Sequence, residues 1–150
     1  MSYHAGEVLA ETQVAAVTGF SASNVSRAKW KLLNTGASAN YAILKRGDTS
    51  LEWAAAHVKA NNYRTIIEVW QRVTDDQASY DALLTHVDNI QTRLEQYRKL
   101  GDTTNTVLDA NLTGMSGVTE QWRNNADGPS WFKIDLYLDW SEHKNVTFAE

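Results

Sequence analysis

The residues best placed for catalysis are carboxylates near the end of the chain. Asp135, Asp139 and Glu142 fall within one short stretch, and paired carboxylates are what acid–base hydrolysis requires. In an extended strand Asp135 and Asp139 share a face, roughly 13 Å apart. That exceeds the spacing of a glycosidase pair, so Glu68 or another strand has to supply the second group. The plainer reading is a solvated strand face whose acids are salt-bridged to Arg64 or Arg72. Other chemistries find less. His4, His57, His86 and His143 lie far apart, without the spacing of metal ligands. There is no Gly-x-Ser-x-Gly turn and no Gly-Lys-Ser/Thr phosphate loop. The chain holds no cysteine, which excludes thiolate catalysis, disulfides and cysteine-ligated metal sites. No cofactor is expected.

Two short motifs have both a functional and a plain reading. Arg46-Gly47-Asp48 matches the integrin-binding tripeptide, yet it sits where a turn is needed in any case. Arg27, Lys29, Trp30 and Lys31 form a small basic cluster with an aromatic, a make-up that touches nucleic acid in some proteins. In a chain of net charge −4 it more simply decorates a surface turn.

The elements that position these residues can be read from periodicity. At 150 residues the chain is long enough for one self-sufficient domain, spanning 1–150. No apolar run approaches a membrane span. The N-terminus lacks the basic and apolar regions of a secretion signal, which predicts synthesis as an intracellular protein. Residues 5–18 form an N-terminal helix with a stripe of Val8, Leu9, Thr12, Ala15 and Ala16, stopped by Gly19. A short helical turn is expected around 26–33, followed by a loop at Asn34-Thr35-Gly36.

Strands begin at Tyr41. Residues 41–45, 51–58 and 63–73 read as three strands, with turns at Arg46-Gly47-Asp48 and at Lys59-Ala60-Asn61-Asn62. After Asp75 and Asp76, a helix of about residues 76–100 carries Tyr80, Leu83, Leu84, Val87, Ile90, Leu94, Tyr97 and Leu100 at helical spacing, ending at Gly101. It is roughly 36 Å long, enough to lie across a sheet. A final hairpin joins 118–123 to 131–140 through an Asp127-Gly128 turn. Residues 103–117 are ambiguous between strand and loop. Strands on both sides of one long helix imply an α+β domain: a mainly antiparallel sheet with the long helix and the N-terminal helix on one face.

Period-two alternation then says which residues face away from the core. Ile67, Val69, Ile134, Leu136, Leu138 and Trp140 point inward. Arg64, Ile66, Glu68, Trp70, Arg72, Trp131, Lys133, Asp135, Tyr137 and Asp139 point outward. Large aromatics among paired charges are the make-up of a protein–protein interface. The alternative is that a helix of the same chain, residues 5–18, covers them.

This order of elements resembles the small neck and tail-completion proteins of long-tailed bacteriophages, the tail terminator family especially. The resemblance spans nearly the whole chain. It rests on the N-terminal helix, the Gly19-Phe20 break, the Asn34-Thr35-Gly36 loop, the 41–47 strand, the hairpin ending Glu68-Val69-Trp70-Gln71-Arg72-Val73, the long helix and the closing 131–138 strand. It implies a non-enzymatic virion protein, assembled in the host cytoplasm, whose copies close into a hexameric ring. Such a ring ends the tail tube and docks to a head-side neck or connector protein, and DNA passes through without specific binding. A head-completion or stopper role is the near alternative. A small carboxylate-dependent hydrolase is the more distant one.

Overall fold

The periodic segment after Asp75 folds as a helix because its first turn is capped and one face is apolar. In the computed structural model, which describes residues 2–28, 38–104, 106–122 and 130–148, this helix is α2, Asp76–Gln96. The other helix among the described residues is α1, Tyr3–Ala15. The Asp75 carboxylate accepts the Ala78 N–H at 2.8 Å, and the Ser2 hydroxyl does the same for Ala5 at 3.2 Å, in each case satisfying a donor that the helix leaves orphaned. α2 ends four residues earlier than periodicity predicts. Tyr97 leaves helical geometry, and Leu100 and Gly101 take positive φ. Leu100 still reaches the core through this turn, while Tyr80, Leu84 and Tyr97 are exposed.

Six strands among the described residues form one mixed sheet. They are β1 (Val25–Arg27), β2 (Asn40–Ala55), β3 (Val58–Arg72), β4 (Val107–Met115), β5 (Thr119–Trp122) and β6 (Ser130–Asn145). The order is β1-β2-β3-β6-β4, with β5 also on β6. Only β1 runs parallel to its neighbour. The α+β architecture with helices on one face is therefore the one expected. Two strands are new: β1 lies where a helical turn was expected, and β4 fills much of the ambiguous 103–117 stretch. β4 and β5 together line one edge of β6. Between them Ser116 keeps the ladder going, its N–H donating to the Asp135 carbonyl at 2.8 Å and its hydroxyl accepting the Asp135 N–H at 2.9 Å.

The middle hairpin differs from its reading in two ways. β2 passes straight through Arg46-Gly47-Asp48, absorbing the irregularity as a bulge between Arg46 and Thr49. The chain turns at Ala56-His57, so Asn61 and Asn62 lie in the ladder opposite Leu51 and Ser50. β3 is bonded on both sides, to β2 and β6, and two ladders override the poor strand preference of asparagine. The Asn34-Thr35-Gly36 loop, the Asp127-Gly128 turn and Lys29, Trp30 and Lys31 lie outside the described residues.

The main core sits between the helices and the inward face of β2, β3 and β6. The buried face of α1 is Gly6, Glu7, Ala10, Gln13 and Val14, not the expected stripe of Val8, Leu9, Thr12, Ala15 and Ala16. Small side chains at 6 and 10 let the helix approach the sheet closely, and Val8 and Leu9 are left half-buried. Gln13 ties the layers together: its amide nitrogen donates to the Leu100 carbonyl at 3.2 Å and its oxygen accepts from Arg93 at 3.0 Å.

The turn into β4 is organised by Asp102. Its carboxylate accepts the N–H of Thr104, Thr106 and Val107 and the Thr104 hydroxyl, at 2.7 to 3.0 Å. Burial pushes its pKa up, but the bonds from Val107, Thr104 and Thr106 outweigh this and hold it at about 2. The folded value lies below the unfolded one, so this stabilisation is complete above the ordinary carboxylate range and is lost as pH falls from about 4 toward 2. Asp102→Asn is expected to cost about 1–2 kcal/mol at pH 7. Urea unfolding of both proteins should show the gap narrowing as pH approaches 2.

Candidate functional site

The register of β3 against β6 brings the outward-pointing residues together. Arg64 stands opposite Asp139, Ile66 opposite Tyr137, Glu68 opposite Asp135, Trp70 opposite Lys133 and Arg72 opposite Trp131. Every residue expected on that face is thus part of a cross-strand pair on two central strands. Arg64 grips Asp139 with two bonds, Nε to Oδ1 at 2.8 Å and a terminal nitrogen to Oδ2 at 3.1 Å, and the Thr113 hydroxyl adds a third at 2.8 Å. The Arg64 hydrogen bond lowers the Asp139 pKa, helped by Thr113. Lys45 Nζ lies 2.8 Å from Glu68 Oε2, Lys133 Nζ lies 3.8 Å from it, and the Trp70 indole N–H donates to Glu68 Oε1 at 3.3 Å. Lys133 also pairs with Asp135 at 3.5 Å.

The aromatics of this face are not the exposed anchors that alternation predicts. Trp131 is 0% exposed and Trp70 is 8%. With Tyr41 and Ile43 they form a second, smaller apolar cluster. Arg72 lies over the Trp131 ring at 5.3 Å and Lys133 over Trp70 at 5.4 Å. α1 is not the cover, since it packs on the opposite face of the sheet. Alternation identifies the face of a strand, but burial depends on what lies above it.

The carboxylates do not converge as a hydrolytic set. Glu142 points to the other side of the sheet and is buried, accepting from the Tyr63 hydroxyl at 3.0 Å. Glu68 and Asp135 are neighbours across the ladder, but each is engaged by lysine. Arg27, the described member of the basic cluster, pairs with Glu7 at 3.5 Å and Glu11 at 3.7 Å. The histidines serve separate places: His4 meets Arg27, His57 packs on Phe148 and His86 on Phe20. Among the described residues no metal-ligating group of three or more His, Asp or Glu forms, and no helix is long and apolar enough to cross a membrane.

The exposed large apolar side chains of the sheet itself lie instead on its margins. The distal half of β2 carries Leu51 and Trp53, 55% and 56% exposed. β1 pairs with β2 only at Ala42–Leu44, so in the described sheet the outer edge of β2 is open beyond that point. On the opposite margin, β4 presents Leu108 and Met115, 41% and 46% exposed. The alternation Ser50-Leu51-Glu52-Trp53 was a signal for the first of these. The second is hidden by bulges at Val107/Asp109 and Leu112/Gly114, which break period two. No protein-family model matches the chain, and no curated protein matches it either.

Proposed function

We propose that this chain is a non-enzymatic structural subunit of a bacteriophage neck or tail, resembling a tail terminator. Its copies form a hexameric ring that ends the tail tube in the virion and meets a head-side neck or connector protein, with DNA passing through unread. The observation that supports the reading best is the pair of apolar margins, Leu51 and Trp53 on β2 and Leu108 and Met115 on β4. Two different sticky surfaces per copy are what a head-to-tail contact needs, and such contacts give a ring where the rotation between copies closes and a filament where it does not. A stopper or other head-completion role uses the same assembly with a different neighbour.

Negative-stain microscopy and native mass spectrometry of the purified chain, alone and with tail tubes, test the proposal. A six-membered ring, or rings capping tubes, is the expected result. Leu108→Glu combined with Met115→Glu should give folded monomers whose melting temperature falls only by what assembly contributes, because both side chains are exposed in the single subunit. A chain that stays monomeric and ignores tail tubes overturns the reading. Capture of head-side connectors in place of tubes moves the role to the head.

A further inference from the structure

We infer that the pocket at the far end of the β2–β3 hairpin is a binding site for a nucleoside phosphate. The cavity measures about 490 Å³, within the range of small-molecule sites. Arg46, Lys59 and Lys144 line it. Lys59 and Lys144 stand directly opposite each other in the β3–β6 ladder, an arrangement that repels unless an anion joins it. Among the described residues none of the three cations has a carboxylate partner. Arg46 is held by the Thr49 hydroxyl at 3.1 Å and lies over the Tyr3 ring at 4.7 Å, so its position is set before any ligand arrives. The nearby acid, Glu142, is buried beneath and takes hydrogen bonds from Tyr63 and Asn61.

Two further features narrow the anion to a class. Asn61 is 6% exposed and lines the pocket, and among the described residues its Oδ1 has no hydrogen-bond partner. Its amide nitrogen is committed to Glu142 at 3.4 Å, so the orphan is an acceptor waiting for a donor. A buried acceptor left unpaired costs stability, and a ligand N–H or O–H removes that cost. Beside the lining residue Lys59, Trp53 stands opposite it in the β2–β3 ladder, with Lys59 Nζ 5.8 Å from the ring centre; the ring also meets Phe148 at 5.9 Å and stays 56% exposed. An aromatic beside cations is the pairing that stacks a base while holding its phosphate. Inorganic phosphate and an aliphatic phosphate ester have no ring to set against Trp53. A nucleoside phosphate uses all three. It can come as a free nucleotide or as part of a single strand, and because Trp53 also belongs to the β2 margin of the proposed ring contact, a neighbouring copy and the ligand compete for it.

The test is calorimetric titration of the whole chain with adenosine monophosphate, a short oligothymidine and inorganic phosphate at low salt. Saturable binding of the nucleotide or the oligomer is expected. Trp53→Ala should weaken it at least about fivefold, the lower end of a stacking contribution, with Trp53→Phe restoring most of it. Lys59→Gln with Lys144→Gln should abolish it, melting temperatures serving as the check on folding. Adenosine monophosphate binding identifies a free-nucleotide site, and oligomer binding alone identifies a strand site. Leu108→Glu with Met115→Glu takes the neighbouring copy off the β2 margin, so this variant should bind at least as tightly as the parent chain, which separates this site from assembly. Absence of binding by all three probes overturns the inference. So does inorganic phosphate binding as tightly as the nucleotide with Trp53→Ala silent.

Discussion

Trp140→Ala is expected to destabilise the protein by about 4 kcal/mol, because a buried indole is replaced by a cavity. Trp140 joins three elements. Its ring stacks on Tyr3 of α1 at 5.8 Å and lies 4.6 Å from Tyr63 of β3, and its indole N–H donates to the Thr65 hydroxyl at 3.1 Å. The same ring explains Gly6. Glycine in the interior of a helix ordinarily costs up to about 1 kcal/mol relative to alanine, but a Cβ at position 6 would overlap the six-membered ring of Trp140. Gly6→Ala should therefore cost about 2 kcal/mol in the parent protein, as overpacking does. In the Trp140→Ala background the same change should become neutral or stabilising. Urea unfolding of the four proteins in this cycle measures the reversal. Equal effects in both backgrounds would show that α1 does not rest on this ring.

The same residues show how far the fold could be read from order alone. Residues 131–140 alternate almost perfectly, and β6 places each on the side that alternation assigned. α2 is equally legible because its cap and the core of its apolar stripe agree, although it ends four residues early. α1 is less so: its buried face is chosen by closeness to Trp140, and glycine and alanine carry no hydrophobic signature. β1 and β4 were obscure for a related reason. A parallel strand of three residues and a bulged edge strand take their stability from the neighbour they pair with, Ala42–Leu44 and Leu136–Glu142 respectively, not from local preference. The outward face was found residue by residue, yet its two tryptophans are buried. The distal pocket could not be found by local reading, since Lys59 and Lys144 are far apart in the chain and meet only through the β3–β6 register.

Glu68→Gln is expected to cost about 2–3 kcal/mol, several times the loss from breaking the more ideal-looking Arg64–Asp139 pair. Burial decides the order. The Arg64 and Asp139 side chains are both more than a third exposed, and pairs of that kind contribute about 0.5 kcal/mol. The Glu68 side chain is 3% exposed and sits between Lys45 at 35% and Lys133 at 19%. Removing the carboxylate takes away the charge that both ammonium groups share and leaves them Asp135, and losing one partner of a buried pair costs up to about 3–5 kcal/mol. Here the cost is held lower because Lys45 can swing to water, whereas Lys133 lies over the Trp70 ring and keeps Asp135 at 3.5 Å. Lys133→Met should therefore recover part of the loss from Glu68→Gln, and Lys45→Met should recover less. Unfolding free energies of the single and double variants measure both couplings. Equal recovery by the two lysines would mean that Lys133 escapes to solvent as freely as Lys45, and that the face between Trp70 and Trp131 is looser than its packing indicates.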